Sequence, residues 1–411
     1  MFTTLFLIAL GAMVLIRLWL AQRQLHAVRA HRNHVPDAFA STISAADHAR
    51  AADYSAAKLR LAQCELVWEA IVLLAVTLGG GFAWLDQTAA QQISDPLWAG
   101  VLCIALLTLA TSTLSLPLEL ISTFRIESRF GFNRTTGRLY VSDLAKSLAL
   151  GIALGLPLVA VLLWLMRAAG PYWWLFAFVT WAVFTLSLSF LWPRFLAPLF
   201  NRFRPLEAGP LREAIEQVLI RCGFTSEGVF VMDGSRRSSH GNAYFTGFGR
   251  HKRIVLFDTL IEHLSPTEVQ AVLAHELGHF RLHHIRSRLS LILVLAAIGF
   301  VILGQAAANP VFYQSLGVLK PSPQAALVLF ALVIPVFTFF LKPLSSLWSR
   351  HHEYAADRFA ARHSSATELA HALVKLYRDN ASTLTPDRLY SAWHDSHPPA
   401  LLRIAALKRL A

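Results

Sequence analysis

Long apolar stretches alternate with polar, arginine-rich segments along the whole chain. Seven of these stretches are long and apolar enough to cross a bilayer, which takes about 20 residues per helix. They lie near residues 3–21, 67–85, 97–120, 147–166, 172–196, 289–305 and 325–344. The pattern predicts a mainly α-helical, polytopic membrane protein with seven transmembrane helices. The first stretch has no basic segment before it and no clear cleavage pattern after it, so we expect a retained span rather than a signal peptide.

The longest polar segment, residues 201–286, separates the fifth and sixth spans. The periodicity of its apolar residues predicts an amphipathic helix at 211–221, strands at Gly228–Met232 and Arg253–Phe257, and an aromatic edge strand at 242–248. Ser265, Pro266 and Glu268 then match a helical capping box with proline at the first helical position. We expect the helix that they begin to run straight into the sixth span, with His283 and His284 at the membrane face.

Further helices are predicted outside the spans. An alanine-rich stretch over 38–57 favours a helix near the N-terminus. Helical patterns follow the seventh span over 349–362, continue to about Tyr377, and return over 400–411.

Composition agrees with a membrane protein. Of the 411 residues, 55% are hydrophobic and only 15% are charged, against about 25% charged in soluble domains. Cys64, Cys103 and Cys222 are too few and too scattered for a disulfide framework or a cysteine-ligated zinc site. We expect them to be buried or membrane-facing thiols.

The formal net charge of +12 would suit a nucleic-acid partner, but its distribution argues against one. Arginine and lysine concentrate in 22–66, 121–146, 201–286 and beyond 342, whereas the connections 86–96, 167–171 and 306–324 carry at most one each. This alternation is the positive-inside signature of polytopic membrane proteins. It predicts an outside N-terminus, a cytoplasmic C-terminus and a cytoplasmic polar segment, with the lipid bilayer as a partner instead of nucleic acid.

The run His275-Glu276-Leu277-Gly278-His279 is an H-E-x-x-H pattern on the helix that the capping box begins. Two histidines four residues apart share one helical face and can bind one zinc ion, while the intervening glutamate serves as a general base. The alternative is a buried helix whose histidines are only hydrogen-bonded. Because placement and pattern agree, the motif predicts a hydrolytic zinc site.

A catalytic zinc needs three protein ligands and an open position. Glu353, on the helix predicted after the seventh span, is the candidate for the third ligand. Asp357 lies four residues further along, on the same helical face, where it can orient a ligand histidine through a hydrogen bond. His351 and His352 are competing ligands, and an ordinary solvated helix face is the alternative for both carboxylates.

The chain resembles the type I CAAX prenyl proteases, membrane-embedded zinc metalloproteases with seven transmembrane helices. The resemblance is carried by five segments in the family's order: 124–133 (FRIESRFGFN), 238–245 (SSHGNAYF), the H-E-L-G-H run, 353–357 (EYAAD) and 389–399 (LYSAWHDSHPP). It implies a barrel of seven helices around an internal chamber, one Zn²⁺ per chain, and metal ligands His275, His279 and Glu353. It also implies that Glu276 is the general base.

Further roles follow from the resemblance alone. His397 matches a histidine that stabilises the oxyanion, and Arg403 matches a basic residue near the metal. From the residues alone, His397 is a turn residue before two prolines, and His394 is an alternative to it. Asn242, with Ala243 and Tyr244, matches an edge strand to which a substrate peptide adds. One departure is Leu402, where the family usually has an acidic residue.

The resemblance implies four parts: an N-terminal membrane domain (1–200) with five helices and the 121–146 loop, a metalloprotease core (201–286), the last two spans (287–346), and the C-terminal part of the metalloprotease domain (347–411). It implies a zinc endopeptidase that removes C-terminal residues from prenylated peptides. The alanine- and arginine-rich composition has a bacterial character, and a bacterial member would instead cut membrane-associated or misfolded peptides and proteins.

Two other classes of protein remain open. A non-catalytic seven-helix transporter or receptor would carry a structural metal site, but such a site is closed by a fourth ligand and has no use for Glu276. A soluble-type zinc protease anchored in the membrane would have a detachable domain. Against it, Glu353 and the two histidines lie on either side of two spans.

Overall fold

Helices make up most of the molecule. The computed structural model describes residues 1–224, 226–246 and 253–411. Its α-helices are α1 (Phe2–Ala30), α2 (Ala45–Val76), α3 (Gly81–Gln92), α4 (Pro96–Leu120), α5 (Gly137–Leu150), α6 (Leu156–Ala168), α7 (Trp173–Leu191), α8 (Ala197–Phe200), α9 (Pro210–Arg221), α10 (Asp258–His263), α11 (Pro266–Arg281), α12 (His284–Ala307), α13 (Pro310–Gln314), α14 (Pro323–Thr338), α15 (Lys342–His363), α16 (Ala366–Asp379), α17 (Arg388–His394) and α18 (Ala400–Lys408). The strands are β1 (Phe203–Pro205), β2 (Gly228–Met232), β3 (Ala243–Thr246) and β4 (Arg253–Phe257).

The membrane-spanning helices confirm a mainly helical, polytopic protein. Among the described residues, six helical stretches are long and apolar enough to cross a membrane: Phe2–Ala30, Pro96–Glu127, Gly137–Ala168, Gly170–Phe200, His284–Ala307 and Pro323–His363. A seventh candidate is the pair α2 and α3, which is bent by 53°. The count is therefore six continuous spans, or seven if the bent pair crosses as one.

The bend corrects the prediction of a continuous second span at 67–85. α2 ends at Val76, and Gly80 adopts a left-handed conformation with φ +77°. A side chain at Gly79 or Gly81 would lie 2.7 or 2.9 Å from the carbonyl oxygen of Ala75. Glycine tolerates the left-handed conformation at Gly80 and the close approach at Gly79 and Gly81. The three consecutive glycines therefore allow the chain to bend here.

A four-stranded sheet packs against the polar helices. Its order is β1-β2-β4-β3, with a parallel pair in the centre and antiparallel strands at both edges. Within the described residues, β3 pairs only with β4, with Ala243 opposite Leu256 and Tyr244 opposite Val255. The predicted edge strand is therefore confirmed over 243–246, while Gly247 and Phe248 of that prediction lie outside the described residues.

The polar segment 201–286 shares its hydrophobic core with the C-terminal helices. Leu256 of β4 and Leu273 of α11 belong to the same buried cluster as Leu369 of α16 and Ile404 of α18. The elements before and after the last two spans therefore form one packed unit. This argues against a protease domain that detaches from the rest of the chain.

Two helix boundaries differ from the prediction. The helix expected over 38–57 starts only at Ala45, because the Ser44 hydroxyl accepts a hydrogen bond from the Asp47 amide and caps it there. The helix of the H-E-x-x-H run does not continue straight into the sixth span. It ends at Arg281, and α12 begins at His284 after a residue with φ +60°, His283.

Candidate metal centre

The site begins with the local structure of α11. The Ser265 hydroxyl accepts from the Glu268 amide and the Glu268 carboxylate accepts from the Ser265 amide, so the predicted capping box is present. The cap fixes the start of the helix and thereby the face on which His275 and His279 lie. Their Nε2 atoms are 3.2 Å apart, and both rings are largely buried.

α15 brings the third group to these histidines. Glu353 is 2% exposed, and its two carboxylate oxygens lie 3.5 Å from His275 Nε2 and 3.3 Å from His279 Nε2. The helices approach closely at Gly278, where a Cβ atom would lie 3.1 Å from the Cα of Ala356. A glycine at this crossing therefore lets α15 come near enough for its carboxylate to reach α11.

The donor atoms fit a zinc ion. Zinc–ligand bonds of about 2.0–2.1 Å in a tetrahedron place neighbouring ligand atoms roughly 3.3 Å apart. The two histidine Nε2 atoms are 3.2 Å apart, and the two Glu353 oxygens lie 3.5 Å from His275 Nε2 and 3.3 Å from His279 Nε2, respectively. With one ligand atom taken from each residue, all three lie within 4.8 Å of one another. Within the described part of the chain, Glu353 Oε2 is buried without a hydrogen-bond partner. A buried carboxylate oxygen left in this way is suited to a cation.

A second layer of charged side chains surrounds the triad. Asp357 Oδ1 lies 2.9 Å from His275 Nδ1, and Arg403 donates two hydrogen bonds of 2.8 and 2.7 Å to the Asp357 carboxylate. Burial and the charge of Arg403 lower the pKa of His275, but its contacts with the Asp357 and Glu353 carboxylates outweigh them and raise the pKa to about 8. Burial lowers the pKa of Arg403, but the charge of Asp357 raises it by more, so the pKa lies above its usual value. Arg403 therefore stays charged.

The two residues expected to act on the substrate also lie at this site. Glu276 follows His275 on α11 and is half-buried, with no hydrogen bond or ion pair to the described residues. His397 is 62% exposed, and its Nδ1 lies 2.7 Å from Glu353 Oε2, although the contact lacks hydrogen-bond geometry. Both side chains are therefore available to a molecule that enters the site.

His394, the alternative to His397, is held elsewhere. Its ring stacks on Tyr390 at 4.3 Å, and its Nδ1 lies 3.2 Å from the Tyr390 carbonyl oxygen. Burial, and then the nearby charges of Lys342 and Arg17, lower its pKa to about 4. The described contacts of the ring are therefore with Tyr390.

The expected substrate strand lies beside α11. Ala243 and Leu277 belong to the same buried cluster, so β3 packs against the helix that carries the histidines. Asn242 is exposed, and its Oδ1 accepts from the Ala243 amide at 2.8 Å. Tyr244 is half-buried, and burial raises the pKa of its phenol.

The competing ligands are placed differently from Glu353. His351 is exposed, whereas His352 is buried and stacks on His284 with ring centroids 3.9 Å apart. His284, expected at the membrane face, is the first residue of α12; it is buried, with its Nδ1 3.0 Å from His279 Nδ1. In the sequence, this contact could be suspected from the five-residue spacing between His279 and His284. The contact also needs a break in the helix, which the sequence did not predict.

Comparison with known proteins gives one consistent result. Residues 24–202 match the family described as CAAX prenyl protease N-terminal, five membrane helices, and residues 205–411 match peptidase family M48. The CAAX prenyl protease 1 homolog of Arabidopsis thaliana is 38% identical over 293 residues, covering 71% of this chain and 69% of the relative.

Two further proteins extend the similarity to the whole length. The CAAX prenyl protease 1 homolog of Caenorhabditis elegans is 32% identical over 410 residues, with 92% of each protein covered. The crystal structure of S. mikatae Ste24p superimposes with a TM-score of 0.92 at 30% identity, covering 99% of each chain. The similarity thus includes the membrane helices as well as the metal centre.

Proposed function

This chain belongs to peptidase family M48, among the CAAX prenyl proteases, and from this premise we propose that it is a zinc endopeptidase that cleaves near the C-terminus of prenylated peptides. That it is a multi-pass membrane metalloprotease follows from the family. The observation that carries the finer proposal is the buried triad of His275, His279 and Glu353, with Glu276 beside it.

The three residues of the triad would hold one Zn²⁺ through two imidazole nitrogens and a carboxylate, leaving a position open. When bound, the ion supplies Lewis-acid chemistry that activates water and polarises the scissile carbonyl. A histidine that binds a metal needs a fixed acceptor at its second nitrogen. Asp357 is this acceptor for His275 Nδ1, and Arg403 holds Asp357 in place.

Glu276 is the general base of the proposed mechanism. It takes the proton of the attacking water and later passes this proton to the leaving amine. Its lack of a partner among the described residues supports this role, since a carboxylate committed to an ion pair would be a weaker base. Its place next to His275 keeps it at the site without making it a ligand.

His397 is the second group that acts on the reacting atoms. Its exposed ring lies against the Glu353 carboxylate, with Nδ1 2.7 Å from Oε2. In that position it donates a hydrogen bond to the oxyanion that forms as water adds to the carbonyl.

On the side away from β4, β3 has no strand partner among the described residues, and this edge is the proposed binding site for the substrate backbone. An extended peptide adds to such an edge through main-chain hydrogen bonds, with Asn242, Ala243 and Tyr244 lining it. The relatives carry the name CAAX prenyl protease, which supports a prenylated C-terminal peptide as the substrate. The positive-inside pattern supports a cytoplasmic site with the N-terminus outside.

The decisive experiment uses purified full-length protein in lipid nanodiscs. Zinc content is measured by elemental analysis, and cleavage is followed with matched prenylated and unprenylated peptides. Glu276→Gln should keep about one zinc per chain and lose about 10²–10⁴-fold in turnover, the usual contribution of a general base. Glu262→Gln, at an exposed position on α10, is the matched control and should remain active.

Three results would contradict parts of the proposal. An active, zinc-loaded Glu276→Gln protein would remove the general base. Equal cleavage of both peptides would replace prenylated substrates by membrane peptides in general. Zinc-loaded protein that cleaves neither peptide would instead favour the structural metal site of a transporter or receptor.

A further inference from the structure

The two histidines of the triad meet chemically different partners at their second nitrogen. His275 Nδ1 lies 2.9 Å from the Asp357 carboxylate, whereas His279 Nδ1 lies 3.0 Å from Nδ1 of another imidazole, His284. A histidine that binds a metal almost always donates its second N–H to an acceptor, which fixes the tautomer and the ring orientation. His284 occupies this place for His279.

The break between α11 and α12 makes this contact possible. In an uninterrupted α-helix, residues five apart point about 140° away from each other around the axis, so His279 and His284 would not meet. His283 instead adopts a left-handed conformation, with φ +60° and ψ +23°. The chain thereby changes direction, and His284 at the start of α12 faces back towards α11.

His284 is held firmly on its other side. Its ring is buried and stacks on His352 with centroids 3.9 Å apart and planes 5° apart, and Trp348 packs against His352 at 4.5 Å. Arg288 also donates a 2.6 Å hydrogen bond to the Ser349 hydroxyl, which ties α12 to α15 next to this stack. The acceptor is therefore fixed by the same helix that carries Glu353.

We propose that His284 is the positioning residue of His279: its Nδ1 accepts the Nδ1–H of His279 and leaves Nε2 of His279 to bind the metal. His284 then carries its own proton on Nε2. It is not a ligand, because it lies at the opposite nitrogen of the His279 ring from His275 and Glu353. The inference rests on the proposed function, since it takes His279 as a ligand.

Three substitutions at position 284 separate hydrogen bonding from packing. His284→Phe keeps an aromatic ring for the stack on His352 but removes the acceptor. His284→Gln offers an amide oxygen as acceptor, and His284→Ala removes both. His371→Gln is the matched control, because His371 is exposed on α16 away from the triad.

The readouts are the zinc dissociation constant by chelator competition and the visible spectrum of the Co²⁺-substituted protein. We expect the Phe and Ala variants to bind zinc about 10–100-fold more weakly, as is usual when such a partner is lost. Their Co²⁺ spectra should change, while the Gln variant recovers most of the affinity. If the Ala variant fails to fold, the comparison of Phe with Gln decides.

Equal zinc affinity in the Phe and Gln variants would overturn the positioning role, as would wild-type affinity in the Phe variant. Failure of the proposed function looks different: the wild-type protein itself would then hold no zinc, or would hold zinc and cleave neither peptide. A weaker affinity in His371→Gln would show that any histidine loss has this effect and would also overturn the inference.

Discussion

Replacing Arg403 by methionine tests how the buried charges behind the metal triad are balanced. Arg403 is 4% exposed and Asp357 is 1% exposed, and two short hydrogen bonds join them. Methionine fills a similar volume but carries no charge. The substitution therefore leaves the Asp357 carboxylate buried, with His275 as its remaining charged or hydrogen-bonding neighbour at 2.9 Å among the described residues.

The expected loss of stability is large. Removing one partner of a buried ion pair costs about 3–5 kcal/mol, because the remaining charge is out of water and unpaired. For a unit of about 150–250 residues, each kcal/mol lowers the unfolding midpoint by about 2–4 °C. The midpoint of Arg403→Met should therefore fall by roughly 6–20 °C.

The double variant Arg403→Met/Asp357→Leu makes the reasoning testable. Removing both charges leaves no stranded carboxylate, so we expect the midpoint to recover most of the loss. Zinc affinity should fall below that of the single variant, because Asp357→Leu also removes the acceptor at His275 Nδ1. The midpoint is measured by tryptophan fluorescence on chelator-treated protein, so that metal binding does not contribute.

Arg409→Met is the matched control, because Arg409 is exposed at the end of the same helix. Its midpoint should stay within about 2 °C of the wild type, as is usual for surface substitutions. A wild-type midpoint in Arg403→Met would refute the reasoning. A double variant that is less stable than Arg403→Met would also refute it, because the loss of stability could then not be due to an unpaired Asp357 carboxylate.

Two further predictions concern α11. Gly278→Ala would place a Cβ atom 3.1 Å from the Cα of Ala356, so α11 and α15 must separate. We expect the variant to lose about 1–3 kcal/mol of stability and to bind zinc more weakly in a chelator competition. An unchanged zinc affinity would show that the close approach of the two helices is not needed. Burial raises the pKa of Glu268, but hydrogen bonds from Lys375 at 2.7 Å and from the cap lower it overall. A carboxyl group whose pKa is lower in the folded protein stabilises the fold at pH values above its unfolded pKa of about 4.3. This stability is lost as the pH falls through the folded pKa. The midpoint difference between wild type and Glu268→Gln should therefore be largest near pH 7 and shrink below about pH 4.3; a difference that does not change with pH would contradict this.

Elements governed by neighbouring residues could be predicted from the sequence. The capping box of Ser265 and Glu268 fixed the start of α11, and the bounds of β2 and β4 followed from short apolar runs between turns. Glu353 could be proposed because an acid pair at four-residue spacing after a span is a local pattern. In each case the determining interactions lie within a few residues.

Features governed by distant contacts could not be predicted in the same way. No proline or glycine marks the break at His283, so the apolar and basic pattern favoured a continuous helix there. The stack of His284 on His352 joins residues on two spans and has no periodicity to reveal it. By contrast, three successive glycines after Val76 indicate a bend. A span predicted from hydropathy alone does not take them into account.

The position of these distant contacts explains how the membrane part and the metal centre depend on each other. His279 and Glu353 are separated in the chain by α12 and α14, so the triad closes only when both helices return to the same side. The His284–His352 stack and the Arg288–Ser349 hydrogen bond join these same two helical stretches next to the triad. We therefore expect a change in the packing of the last two spans to move His279, His284 and Glu353 together. This coupling makes the membrane helices part of the metal centre and not merely its anchor.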